Sequence, residues 1–215
     1  MTPFETVTVA TEQALSRMDE LIGAFPKTGI HPFLIGDDDD LEQLRGMCEP
    51  PTDGGASILS KAASLSIDEW LNARGFKLPK QLSKGVDPQS GFITLTDLAT
   101  GRTKERIHIG LISVEAPHHM FAKLGWGGWN DCPEPEVHVA LHKRWADKFA
   151  AVPVALSGDV VECFVGRPPD QKADVLRLAG EHYAYCGDIV DQGFESVAKL
   201  AASLNGAKVW YFWWD

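Results

Sequence analysis

The stretch Glu136–Gly166 reads EVHVALHKRWADKFAAVPVALSGDVVECFVG and changes its period halfway. Over residues 136–150, Val137, Leu141, Trp145 and Phe149 recur every fourth position, which predicts a helix with one apolar stripe. From Val152 the pattern turns to Val, Ala, Leu, Cys and Phe, and Ser157-Gly158-Asp159 interrupts it, so residues 152–166 read as two strands around a tight turn. A helix running into a hairpin is a mixed α/β arrangement, and the flanking sequence extends it. Downstream, Pro168-Pro169-Asp170 opens a helix that runs to about Cys186. A last helix covers 194–206, stopped by Asn205-Gly206, and leads into the aromatic run Val209–Trp214. Both faces of that run are bulky, with Val209, Tyr211 and Trp213 on one and Trp210, Phe212 and Trp214 on the other. It is therefore expected as an internal strand with helices on both sides, with only Trp214 and Asp215 reaching a sheet rim.

Upstream, residues 10–24 have helical spacing, 29–36 read as a short buried strand, and 37–47 and 56–75 as helices. The acidic run Asp37–Asp40 stands where a strand hands over to a helix, which reads as an N-cap with acids in the first turn; it lacks the spacing of a calcium loop. Residues 76–91 are rich in Lys, Pro, Gly, Ser and Gln and read as a linker. Around Ala99-Thr100-Gly101 the pattern is hairpin-like, and 117–125 suits a short helix, with His118 and His119 at its surface. The expected fold class is α/β (α+β), a mixed β-sheet with helices packed on both faces. A boundary near residue 88 divides an N-terminal helical and strand region (1–88), packed on the rest, from a C-terminal α/β domain (89–215).

Acids outnumber bases 30 to 20 in 215 residues, giving a net charge of −10. No dense basic patch offsets it, so nucleic acid and anionic membranes are not expected partners, whereas a basic protein is. The four cysteines, Cys48, Cys132, Cys163 and Cys186, form no C-x-x-C pair, which fits a reducing compartment. With no signal-peptide pattern and no apolar run of spanning length, a soluble, cytoplasmic protein is expected.

Two segments gather residues capable of chemistry. Trp126-Gly-Gly-Trp129-Asn130-Asp-Cys132 joins stacking rings to a flexible backbone, and Glu181-His-Tyr-Ala-Tyr185-Cys-Gly-Asp188, with Gln192 beyond, collects polar groups at a helix end. The runs "GWNDCPEPEVH" (128–138) and "AGEHYAYCGDIVDQG" (179–193), with "RPP" at 167–169 and the terminal "WYFWWD", together resemble an uncharacterised bacterial family catalogued as domain of unknown function 4253, over about residues 105–215. The resemblance implies a soluble domain of bacterial origin and brings no activity, catalytic residue or cofactor with it.

The candidate ligand pocket comprises Trp126, Trp129, Asn130, Cys132, His138, Glu181, Tyr185, Asp188, Gln192, Trp214 and Asp215. His138 and His142 are four apart on one helix, a spacing that zinc sites use, but Val139-Ala140-Leu141 between them supply no carboxylate, and His138 falls within the apolar stripe. No metal and no cofactor are expected. On the wheel of the 168–188 helix, Val175, Ala179, His182, Tyr183 and Cys186 face the core, with Glu181 and Tyr185 near its edge. Two functional classes follow. One is a non-enzymatic binding protein, for instance an immunity-type protein for a basic toxin. The other is a small-molecule enzyme or sensor with a pocket walled by the two motifs.

Overall fold

The computed structural model describes residues 2–215, and a six-stranded sheet organises them. Strand β1 (Glu5–Ala10) runs directly into helix α1 (Thr11–Thr28), which Gly29 closes in the left-handed conformation before β2 (Ile30–Gly36). Helices α2 (Asp38–Met47), α3 (Ala56–Ser64) and α4 (Ile67–Ala73) follow. After the irregular stretch that includes the expected linker come a 3-10 turn (Ile93–Leu95) and a minimal hairpin of β3 (Thr96–Asp97) and β4 (Arg102–Thr103). The second half contains β5 (Arg106–Ser113), α5 (His119–Leu124), α6 (Pro135–Phe149), β6 (Ala151–Leu156), β7 (Val160–Val165) and α7 (Lys172–Tyr185). It ends with a π-helical turn (Ile189–Phe194), α8 (Val197–Leu204) and β8 (Val209–Trp213).

The sheet order is β1-β5-β2-β6-β7-β8, antiparallel except for the β2–β6 pair, so it is mixed. Helices cover both faces: α1 buries Ala14 and Met18 against Leu34, Ile107 and Ile109 on one side, while α6, α7 and α8 build the larger core on the other. Strands β1 and β2 come from the chain before residue 88 and share this sheet with β5–β8.

Pro153 lies inside β6, where a missing N–H disrupts a ladder, and the β6–β7 register shifts between Pro153 and Ala155. The β2–β6 pairing is confined to Leu34 opposite Ala155, and beside it His31 Nε2 donates to the Pro153 carbonyl at 2.8 Å. Burial holds His31 neutral, with its pKa lowered to about 4, so this ring acts as a neutral donor that satisfies the carbonyl.

Four expectations change. Strand β1 precedes the first helix, where ETVTVA alternates for only six residues and passes into α1 without a turn residue. The expected 56–75 helix is two helices, because Leu65 is extended and Ser66 caps the second by accepting from the Glu69 amide at 3.4 Å. His118 and His119 are half-buried rather than superficial. Finally, β8 is an edge strand. Its Trp210–Phe212–Trp214 face is core against α6 and α7, while Tyr211 and Trp213 on the opposite face stay half-exposed.

Candidate functional site

The two motifs meet, and most of their meeting place is solid. Gly127 (φ 124°) follows Trp126, and a Cβ there would stand 2.8 Å from His138 Nε2, so the glycine lets the imidazole reach the loop. Trp126, His138, Tyr185 and Trp214 are each at most 1% exposed and pack ring against ring, with centroids 4.9 Å apart for Trp126–His138 and 5.1 Å for Tyr185–Trp214.

Inside this cluster runs a chain of neutral hydrogen bonds. His138 Nδ1 lies 2.6 Å and His142 Nε2 3.0 Å from the Tyr185 hydroxyl, and Cys163 Sγ is 3.6 Å from His142 Nδ1. With the His138 proton on Nε2, the nitrogen beside the Gly127 loop, Nδ1 accepts from Tyr185. The Tyr185 oxygen then accepts from His142 Nε2–H, and His142 Nδ1 from the Cys163 thiol. Burial pushes His138 down to about 3 and His142 well down, and it raises the Tyr185 hydroxyl and the Cys132 and Cys163 thiols. Cys132 Sγ lies 3.5 Å from His138 Nε2, but a thiol held neutral beside a neutral imidazole is not an activated nucleophile. Among the described residues no group of three or more His, Cys, Asp or Glu side chains is arranged to hold a metal ion.

Glu181 stands apart from this chain. It accepts from Trp145 Nε1 (2.9 Å), Arg177 Nε (3.0 Å) and Arg144 (3.0 Å), and Asp68 joins both arginines, tying α4, α6 and α7 together. Tyr183, expected in the core, points outward to Asp191, while Tyr185 is the buried ring. The buried face of α7 runs through Val175, Leu178, Glu181, His182 and Tyr185, so its centre is turned away from Tyr183. At the surface, the Asn130 amide donates to the Asp215 carbonyl (2.8 Å), and Asp188 accepts from the Asp215 N–H (3.1 Å) and from Gln192 (3.2 Å). Trp129 packs edge-on against Trp126. The candidate residues thus form a core cluster, an ion network and a clamp on the last residue.

Open space lies elsewhere. A cleft of about 390 Å³ sits beyond the carboxyl ends of the parallel pair β2 and β6, the end at which open α/β sheets commonly take ligands. One wall is the start of α2, where Asp37 caps the helix by accepting from the Asp39 and Asp40 amides and Asp40 reaches back to the Asp37 amide, as the acidic run predicts. A second wall is Thr94, Thr96 and Asp97. It is held by the fully buried Glu162, which accepts from the Ile93 amide (2.8 Å) and from the amide (2.9 Å) and hydroxyl (2.6 Å) of Thr94. The third is Asp159 with Tyr211 and Trp213; Trp213 Nε1 donates to Asp159 at 3.0 Å.

Five carboxylates, Asp37, Asp39, Asp40, Asp97 and Asp159, line this cleft against one ammonium, Lys104. Lys104 pairs with both Asp37 (3.1 Å) and Asp40. Burial alone would lower its pKa, but the two carboxylates outweigh burial and raise it, so Lys104 remains a cation already committed to its neighbours. Sequence inspection assigns Asp37–Asp40 to capping and misses the rest. Thr94, Asp159, Tyr211 and Trp213 are far apart in the chain, and only the exposed face of an edge strand could have marked the aromatic pair.

Behind Lys104 a second hollow of about 430 Å³ holds Thr8, His108 and Asp38 in hydrogen-bonded order: Thr8 Oγ1 to His108 Nδ1 (2.9 Å), and His108 Nε2 to Asp38 (2.7 Å). A hydroxyl, imidazole and carboxylate in series have the connectivity of a nucleophilic relay. Here, though, Thr8 and His108 are directly opposed partners on adjacent strands, and the Asp38 side chain is 96% exposed. The arrangement is therefore a cross-strand latch fastened to α2.

No helix among the described residues is long and apolar enough to cross a membrane. Neither a curated protein nor a solved structure matches the chain. A family match begins inside β5 and takes in β6, β7 and β8, while β2, which stands between β5 and β6, lies outside it. Through that match, over residues 108–215, the chain belongs to the family described as Domain of unknown function (DUF4253).

Proposed function

We propose that this chain is a non-enzymatic binding protein whose acidic cleft receives a basic segment of a protein partner. The observation that carries this reading is the cleft beside Asp37, Asp97 and Asp159: five carboxylates, one internally neutralised lysine, and two half-exposed aromatic rings. Carboxylates attract and orient a lysine or arginine side chain, and Tyr211 and Trp213 offer faces on which a cation or its alkyl stem can rest. The net charge of −10 acts in the same direction at longer range, speeding encounter with a basic partner. An immunity-type protein for a basic bacterial toxin is the most concrete form of this reading. The competing reading, a small-molecule pocket between the two motifs, has its central side chains filled by one another's rings.

The test is calorimetric titration with arginine-rich and glutamate-rich peptides of equal length, at 50 and 300 mM salt, for the wild type and an Asp39→Asn/Asp97→Asn/Asp159→Asn variant. Binding of the basic peptide alone, weakened by salt and by the triple substitution, is expected. Equal affinity for both peptides, or no effect of the triple substitution, would overturn the assignment.

A further inference from the structure

The two edges of the sheet are finished differently. At β8 the chain covers its own edge: the Cys186 thiol donates to the Trp213 carbonyl at 2.9 Å, and Asp188 and Asn130 hold the backbone of Asp215. At β1 the side chains of Glu5, Thr6 and Thr8 are exposed, and among the described residues only β5 pairs with the strand. Its sequence, ETVTVA, carries one charge, Glu5 at its start, but no proline, no lysine and no bulge in its register with β5.

The register shows which backbone groups are free. The Thr11 amide donates to the Glu105 carbonyl at 3.2 Å, one step beyond the pair Ala10–Arg106. Bonded and non-bonded pairs alternate in an antiparallel ladder, so Val9, Val7 and Glu5 also bond to β5. The N–H groups of Thr6, Thr8 and Ala10, and the carbonyls of Thr6 and Thr8, therefore point away from the sheet.

We infer that β1 pairs antiparallel with β1 of a second copy of this chain, about a two-fold axis at Thr8, joining two sheets into one. The register is self-complementary. Thr8 faces its own counterpart and exchanges both backbone bonds with it, and Thr6 faces Ala10 of the other copy. On the α1 side, Val7 faces Val9 in both directions, so the half-buried valines Val7 and Val9 are covered by each other. Glu5 falls opposite Thr11, so no like charges face each other across the junction. Helix α1 leaves room for a second strand, because it packs mainly over β2 and β5. Each copy carries a charge of −10, so pairing tightens as salt screens the repulsion, the opposite of the trend expected for a basic partner at the cleft.

Sedimentation of the full chain at increasing concentration and two salt levels tests this. A monomer–dimer equilibrium strengthened by salt is expected. Thr6→Lys, which places a charge on an exposed edge position, weakens it about tenfold or more. Thr8→Cys reports on the register: residues in a directly opposed bonded pair have Cα atoms about 5.5 Å apart, within disulfide reach. A Thr8→Cys protein is therefore expected to cross-link on mild oxidation. Thr6→Cys does not, because its counterpart lies about 13 Å away along the strand. A protein that stays monomeric at every concentration overturns the proposal, as does a dimer indifferent to Thr6→Lys or one in which Thr6→Cys cross-links as readily as Thr8→Cys. None of these outcomes bears on the acidic cleft.

Discussion

The Tyr185 hydroxyl lies 2.6 Å from His138 Nδ1, at the centre of a neutral chain that runs from the Cys163 thiol through His142 to His138. Every group in that chain is buried, so each depends on its neighbour for the hydrogen bond that water would otherwise supply. Tyr185→Phe keeps the ring but strands one ring nitrogen on each of His138 and His142. Two unsatisfied buried groups cost roughly 2–4 kcal/mol. Urea unfolding followed by tryptophan fluorescence should show that loss; a loss below about 1 kcal/mol would mean that the hydroxyl is not the link between α6 and α7.

Acid sensitivity follows from the same burial. His31 and His138 have pKa values lowered to about 4 and about 3, His182 is lowered to about 3, and His142 lies well below its usual 6.5, all through desolvation. An unfolded histidine takes up a proton near pH 6.5, and these do not until far lower, so the unfolded state binds more protons throughout that window. Their contribution is complete above pH 6.5 and is lost progressively as pH falls toward 4, at about 2 kcal/mol per buried histidine by pH 5. Chemical denaturation from pH 8 to 4.5 should show a steep fall in stability below pH 6.5. Among the described residues His182 Nε2 has no hydrogen-bond partner in its aromatic cage of Trp145, Trp210 and Phe212. His182→Phe should therefore flatten that fall at little cost at pH 8, whereas His138→Phe should be destabilising at both.

Local signals made much of the fold legible. The apolar stripe of α6, the Ser157–Asp159 turn and the Asp37 cap each state their structure within a few residues, whereas α7 begins only at Lys172, beyond Pro168 and Pro169. What escaped depends on non-local packing. Two bulky faces on β8 imply an internal strand only if hydrogen-bond neighbours and face coverage go together; here helices cover one face while the sheet ends. Tyr183 and Tyr185 exchange places because α6 and β8 meet α7 along His182 and Tyr185, a choice of face that a helical wheel alone does not make. The candidate pocket drew together residues that do meet, but adjacency of polar and aromatic groups made a packed core. The cleft, assembled from residues 37–40, 94–104, 159 and 211–213, leaves no local motif in the sequence.

Glu181 and Asp68 contact the same two arginines, yet they differ in burial and should differ in consequence. The Glu181 side chain is 4% exposed and holds Trp145 as well as Arg144 and Arg177, whereas that of Asp68 is 66% exposed. Removing Glu181 leaves the buried Trp145 Nε1–H unpaired, at a cost of about 1–3 kcal/mol, while an exposed pair contributes about 0–1 kcal/mol. Glu181→Ala should thus lower the thermal midpoint by several degrees and Asp68→Asn barely move it. Comparable effects from the two would mean that the network acts as one unit rather than through its buried member.

Glu162 is the fastener of the cleft, and its substitution separates the cleft wall from the core. It projects from the half-covered face of β7, where burial raises its pKa against the pull of its hydrogen-bond donors from Thr94, Ile93 and Gln89. Those donors all belong to residues 89–94, where Phe92, with Leu95 just beyond, packs near α1 and the 3-10 turn Ile93–Leu95 touches β2. Glu162→Gln replaces one acceptor oxygen with an amide that itself donates, so at least one N–H of Ile93 or Thr94 loses its partner. The wall should then open locally without global unfolding. Hydrogen exchange at the Ile93 and Thr94 amides should accelerate by roughly tenfold or more, the equivalent of one lost bond of about 1.5 kcal/mol, while exchange in β2 and α6 stays unchanged. If residues 94–97 form one side of a binding cleft, the same variant should weaken binding of the basic peptide although no lining carboxylate has been altered. Faster exchange with undiminished binding would assign the cleft's affinity to Asp37, Asp39, Asp40 and Asp159 alone.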